Sequence, residues 1–165
     1  MAKKYIEACD LQQYLMDCLQ IAVDKSAERA CLFLTQYIMD HWYAEYSPRV
    51  YKRTFDFVRS VSRTDATIRG KNGNTVSCFI FFDTSKIRSV YYGPEYLNPH
   101  TSFEGKDVSD KIPKWIERGG WFHGRGRTEG LGSMEATIKM LEKDFPTMVS
   151  QELKKLGLDI EIVGK

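Results

Sequence analysis

The stretch Cys9–Tyr46, CDLQQYLMDCLQIAVDKSAERACLFLTQYIMDHWYAEY, decides the fold. It contains neither Pro nor Gly, so nothing in it forces the chain to turn. Leu11, Leu15, Cys18, Leu19 and Ala22 form one apolar stripe, and Ala30, Leu34, Tyr37, Ile38 and Tyr43 a second. Spacings of three and four are those of an amphipathic helix, not the alternation of a strand. Asp24-Lys25-Ser26 in the middle is polar all round. The pattern therefore predicts one bent helix, or a close pair jointed there with Ser26 capping the second.

Outward from this helix, Ser47-Pro48 supplies a stop, because Pro lacks the amide and pushes its predecessor out of helical geometry. Phe55, Phe57 and Val61 alternate with polar residues and predict a strand or extended arm from about Phe55. Thr64–Arg69 and Thr75–Phe82 flank Lys71-Asn72-Gly73-Asn74. Asn-Gly between β-prone runs is a hairpin signal, since both residues tolerate positive φ. The second arm, TVSCFIFF, is apolar on both faces near its end and predicts a central strand. Asp83–Asp110 is irregular by local signs, with Pro94, Pro99, Gly93 and Gly105. Ser109 is a candidate cap for a short helix with Pro113 in its first turns and Trp115 and Ile116 facing inward. After the glycine-rich Arg118–Gly132, Ser133 is the expected N-cap of a last helix, Met134 to about Leu156. Glu135 in its first turn suits the helix dipole, Pro146 should kink it, and Gly157 should end it. LDIEIV then alternates as a closing strand. The expected fold is α+β: a small, mainly antiparallel sheet packed against a long N-terminal helix and a C-terminal helix. One domain, 1–165, is expected, with loop excursions about 83–110 and 117–132.

The chain has 165 residues and a formal net charge of +2. A domain of that length buries about 70% of its unfolded surface, and a dedicated DNA binder carries a stronger basic bias. Cys9, Cys18, Cys31 and Cys78 form no C-x-x-C pair and sit in apolar segments, as buried reduced thiols do. The N-terminal residues lack the apolar run of a signal peptide, and no run reaches about 18 apolar residues. No membrane contact is expected, and a soluble protein made in a reducing cytoplasm is.

The chemistry-bearing residues make a thin case for catalysis. Gly124-x-Gly126 with Gly130 departs from G-x-G-x-x-G, and no Gly-Lys-Ser/Thr follows. Arg118, Arg125 and Arg127 accompany Trp121, Phe122 and His123, a mixture of charge and flat rings that suits nucleic acid or a protein partner. His41, His100 and His123 stand far apart, and no metal-ligand spacing occurs. Asp83, Glu95, Glu104, Asp107 and Asp110 surround the long loop without a catalytic spacing. No catalytic, cofactor or metal site is expected. Two alternatives remain open: a small nucleic-acid-binding module using the Arg-rich loop, and a metal-dependent nuclease with carboxylates gathered in space.

Tyr51-x-Arg53-Thr54 with Ser60 downstream, then the hairpin, then Trp115-Ile116-Glu117-x-Gly119 before the last helix, follow one another in order. In this order the chain resembles the HK97 gp10-type family of bacteriophage tail components. It carries Thr54-Phe55-Asp56-Phe57 where that family has Thr-Gly-x-Leu. The resemblance implies a structural virion protein made in the host cytoplasm, a neck, head–tail connector or tail-completion subunit. It further implies a homo-oligomeric ring, sixfold or twelvefold, between portal or adaptor and tail proteins around the DNA channel. On that implication Tyr91, Tyr92, Tyr96, Phe103, Trp121, Phe122, Arg125 and Arg127 are candidate protein-interface residues. Arg118, Arg125 and Arg127 are the candidates to face DNA.

Overall fold

The computed structural model describes residues 8–44, 55–70, 74–87, 109–119 and 129–160. They make an α+β protein with a long N-terminal helix, small antiparallel sheets and a C-terminal helix. In chain order these are α1 (Ala8–Ile38), a π-helical turn (Met39–Tyr43), α2 (Asp56–Arg59), β1 (Val61–Arg63), β2 (Thr67–Arg69), β3 (Thr75–Ser77) and β4 (Ile80–Phe82). A 3-10 turn (Thr84–Lys86), α3 (Ile112–Arg118) and α4 (Ser133–Lys155) follow.

The decisive stretch folds as a single helix, and the joint expected at Asp24-Lys25-Ser26 does not exist. Ser26 caps nothing. It is fully buried, and its hydroxyl donates to the Ala22 carbonyl at 2.8 Å, which satisfies it without breaking the helical ladder.

The described residues fall into two compact units: those up to Ala30 with Arg63–Phe79 and those from Met140 on, and Cys31–Ser62 with Ile80–Lys139. In the first, Cys18, Ala22 and Val23 of α1 meet Ala66 and, from α4, Val149 and Leu153. Val76 and Cys78 of the hairpin arm pack on that cluster, and β2 and β3 pair antiparallel in the register Thr67↔Ser77, Ile68↔Val76, Arg69↔Thr75. A two-stranded hairpin is marginal by itself; here two helices cover its apolar face. Gly157, at φ +84, closes α4: its amide donates to Lys154 at 3.0 Å and that of Leu158 to Leu153 at 3.0 Å. This is a Schellman closure, and Leu158 joins the core beside Leu153 as that motif favours. The closing strand expected from LDIEIV is therefore not present over Leu158–Ile160, because the turn consumes the amide that would open a ladder. Ile162 lies outside the described residues.

In the second unit Leu34 and Ile38 of α1, Phe57, Ile87, Ile112, Ile116 and Leu131 form the core. The extended arm expected from Phe55 is a helical turn. Phe55 sits in the left-handed region at φ 59, and the Ser60 hydroxyl closes α2 on the Phe57 carbonyl at 2.6 Å. The two rings that mimicked strand alternation go to different partners: Phe55 stacks on Tyr43 at 4.7 Å, Phe57 on Phe82 at 4.9 Å.

TVSCFIFF is likewise not one central strand. It divides at Cys78-Phe79 into β3, paired with β2, and β4, paired with β1. Thr64 marks the division, since its hydroxyl accepts the Phe79 amide at 3.0 Å and its amide donates to the Phe79 carbonyl at 2.9 Å. A side-chain oxygen thus stands in for a ladder acceptor.

Candidate functional site

Helix α3 carries Pro113 in its first turn, where a missing amide costs nothing. It starts from Lys111 and not from a Ser109 cap, and Ser109 is itself buried. Ile116 is buried as expected and Trp115 is partly buried against the same core, while Ile112, which the spacing did not single out, is buried too. One turn later Glu117 reaches the start of α4. One carboxylate oxygen accepts the Met134 amide at 2.9 Å, and the other accepts the Ser133 hydroxyl. Ser133 is at the helix start, as expected. The carboxylate that satisfies the Met134 amide comes from α3, and a negative group there also meets the positive end of the helix dipole.

The backbone closes the same junction. Leu131 donates to Ile116 at 2.8 Å and Gly132 to Glu117 at 3.2 Å. Gly130 is held so tightly that a Cβ there would stand 2.1 Å from the Glu117 carbonyl oxygen and 2.5 Å from the Arg118 carbonyl carbon. Only glycine lets the two stems of the Gly- and Arg-rich segment meet this closely. Beside the clasp a cleft of about 330 Å³ opens between Phe82, Lys114, Arg118, Met134 and Glu135. Lys139 lies 2.7 Å from Glu135, and its hydrogen bond holds that carboxyl below the usual carboxylate range.

Of the residues singled out in the sequence, Arg118 is described: it is exposed in the last turn of α3 and lines this cleft. Tyr91, Tyr92, Tyr96, Phe103, Trp121, Phe122, Arg125 and Arg127 lie outside the described residues, as do His100, His123, Glu95, Glu104 and Asp107. His41 is exposed in the π-helical turn and stacks on Tyr37 at 4.1 Å. Asp83 caps the 3-10 turn, and its bonds from Ser85 hold its carboxyl low. Among the described residues no three of His, Cys, Asp and Glu gather as a metal set, and no helix is long and apolar enough to cross a membrane. Cys18, Cys31 and Cys78 stand outside any disulfide, and burial pushes the Cys78 thiol up.

A second carboxylate junction, in the other unit, was not anticipated. Asp24 of α1 takes both terminal nitrogens of Arg63, at 2.5 and 3.0 Å, and the Ala66 amide at 3.1 Å. Gln20, one turn earlier, donates to the Ala66 carbonyl at 2.6 Å. The polar patch that suggested a joint in α1 is the anchor of the hairpin. Its sequence signal was a carboxylate on the margin of an apolar stripe. Its partner Arg63, 39 residues away, carried no matching signal.

Residues 7–156 match the YomN family over nearly the whole described fold. The chain belongs to the YomN family. This is a phage-related family, so the bacteriophage association expected from the sequence holds, while the family matched is YomN and not the HK97 gp10 type. No curated protein and no solved structure matches the chain. The YomN match takes in both carboxylate junctions and both cores.

Proposed function

We propose that this YomN-family protein is a structural, non-catalytic virion component, a neck, head–tail connector or tail-completion subunit that forms a ring between portal and tail. Membership in a phage-related family across residues 7–156 carries the reading. The clasp supports it. Glu117, Gly130 and Leu131 hold residues 116–118 against residues 130–134, and fixing the flanks in advance lowers the ordering cost of an assembly contact. On this reading Trp121, Phe122, Arg125 and Arg127 contact a neighbouring subunit or adaptor, and Tyr91, Tyr92, Tyr96 and Phe103 a second face. Head-to-tail closure needs two such different surfaces.

Mass spectrometry of purified particles, with electron microscopy of particles made without the protein, tests the reading. The protein is expected in the particle, and its loss is expected to leave filled heads and tails unjoined. Particles that lack the protein and keep normal necks overturn it. Replacing residues 120–128 with a short Gly-Ser linker should preserve the melting temperature and abolish incorporation.

A further inference from the structure

Helix α1 has a second patterned face, pointing away from its core. At 100° per residue, Tyr14, Ile21, Lys25, Glu28 and Leu32 lie within one stripe, opposite the buried Val23, Ala30 and Leu34. From Ile21 to Leu32 their spacing runs four, three, four, as in a coiled-coil seam, with Tyr14 a full heptad earlier and Cys18, between them, turned into the core. The apolar members are open to solvent: Tyr14 is 51%, Ile21 49% and Leu32 65% exposed. At the middle of the seam Lys25 and Glu28 pair at 2.9 Å, themselves half exposed.

The order of these residues is self-complementary when reversed. Ile21 and Leu32 are placed symmetrically about the point between Ser26 and Ala27, and so are Lys25 and Glu28. We propose that this face binds a second copy of the same chain, with the two α1 helices antiparallel about a two-fold axis at that point. Ile21 of each copy then meets Leu32 of the other, and Lys25 of each meets Glu28 of the other. The two intrahelical pairs merge into one ring of four alternating charges. A parallel pairing sets Lys25 on Lys25 and Glu28 on Glu28, so the seam selects its own direction. The contact is isologous and uses α1 alone; it does not depend on the neck reading, and either can fail without the other. One helix face buries less than a standard interface, so the pair is expected to exchange and to depend on concentration in the micromolar range.

Sedimentation of the full-length protein over a concentration series, with a charge-swap cycle, tests this. Lys25→Glu and Glu28→Lys each put like charges across the axis and should weaken association about tenfold. The double swap should return it to within about threefold of the parent. All three variants should keep the melting temperature within about 2 °C, because the pair within one helix contributes little. Under mild oxidation, Ile21→Cys mixed with Leu32→Cys should give a disulfide between positions 21 and 32, identified by peptide mapping. A protein that stays monomeric to about 1 mM, at the weak end of measurable affinity, overturns the proposal. A double swap that does not recover, or Ile21→Cys joining to itself in place of Leu32→Cys, overturns it equally.

Discussion

Asp24 and Glu117 do similar work in the two units with different chemistry. Each carboxylate sits on a helix and accepts one backbone amide from a remote segment, Ala66 at 3.1 Å and Met134 at 2.9 Å. Each takes a second donor from the residue nearby, and there they part. Asp24 is matched by a two-pronged Arg63 guanidinium, whereas Glu117 is matched by the neutral Ser133 hydroxyl and the start of α4. The first junction is a charge pair and answers to pH and to loss of either partner. The second is a helix cap built from a distant residue, and its strength lies in geometry. A hairpin needs a positive anchor to fix its base; a helix start brings its own partial positive charge.

The largest expected effect tests the geometric junction. Gly130→Ala forces a Cβ against the Glu117 carbonyl at 2.1 Å and the Arg118 backbone. Backbone cannot yield as a flexible side chain does, so a loss of about 3 kcal/mol or more is expected in urea unfolding. A variant as stable as the parent shows that the stems do not meet so closely.

Next comes the charge pair. Asp24→Ala removes the two-pronged carboxylate from the three-quarters-buried Arg63, which keeps the Thr64 carbonyl, and the side-chain acceptor from the Ala66 amide, and about 2 kcal/mol should be lost at pH 7. The Arg63 hydrogen bond, ahead of the Ala66 amide, holds the Asp24 carboxyl below its usual range. A lowered folded-state pKa gives stability that is complete above the unfolded value of about 4 and is lost as pH falls through the folded one. Asp24→Asn should therefore fall furthest below the parent near neutrality, and the gap should close on acidification. A gap that stays constant from pH 7 to pH 3 removes the charge from the explanation.

Glu117→Ala should cost about 1 kcal/mol, the usual worth of an N-cap, and Glu117→Gln less, since its carbonyl oxygen still accepts one donor. Amide exchange at Met134 reads this directly, and equal losses for both variants would mean that the carboxylate charge, not its reach, matters. A change of similar size to Glu117→Ala is Gly157→Ala. A Cβ there meets nothing within 4 Å, yet φ is +84. A cost of about 1 kcal/mol is expected from conformation alone; a neutral result would place the end of α4 elsewhere.

Much of this fold was legible because helices are written in near-neighbour spacing. The helical run of α1 with its buried Cys18, Ala22, Ala30, Leu34 and Ile38, the Ser133 start and Gly157 end of α4, the pairing of β2 with β3 and the inward Ile116 of α3 all follow from residues a few positions apart, although Leu11 and Leu15 of the first α1 stripe are exposed. The errors share one cause. Phe55 and Phe57 alternate as in a strand, but Tyr43 and Phe82 claim their rings separately. Cys78-Phe79 continues an apolar run, but Thr64 divides it. LDIEIV alternates, but the Schellman turn takes the Leu158 amide for Leu153.

The sequence by itself determined that the long helices α1 and α4 exist, that α4 runs from Ser133 to the Gly157 turn, and that the chain mixes helices with short strands, since these depend on propensity, capping and period over a few residues. It also held the reversed symmetry of the outer α1 seam, in plain order of residues. What tertiary structure alone decided is which carboxylate ties which segment. Asp24 meets Arg63 and Glu117 meets Ser133 across intervals of 39 and 16 residues. No local period encodes such a pairing, because it exists only once burial has brought the two segments within reach of a hydrogen bond.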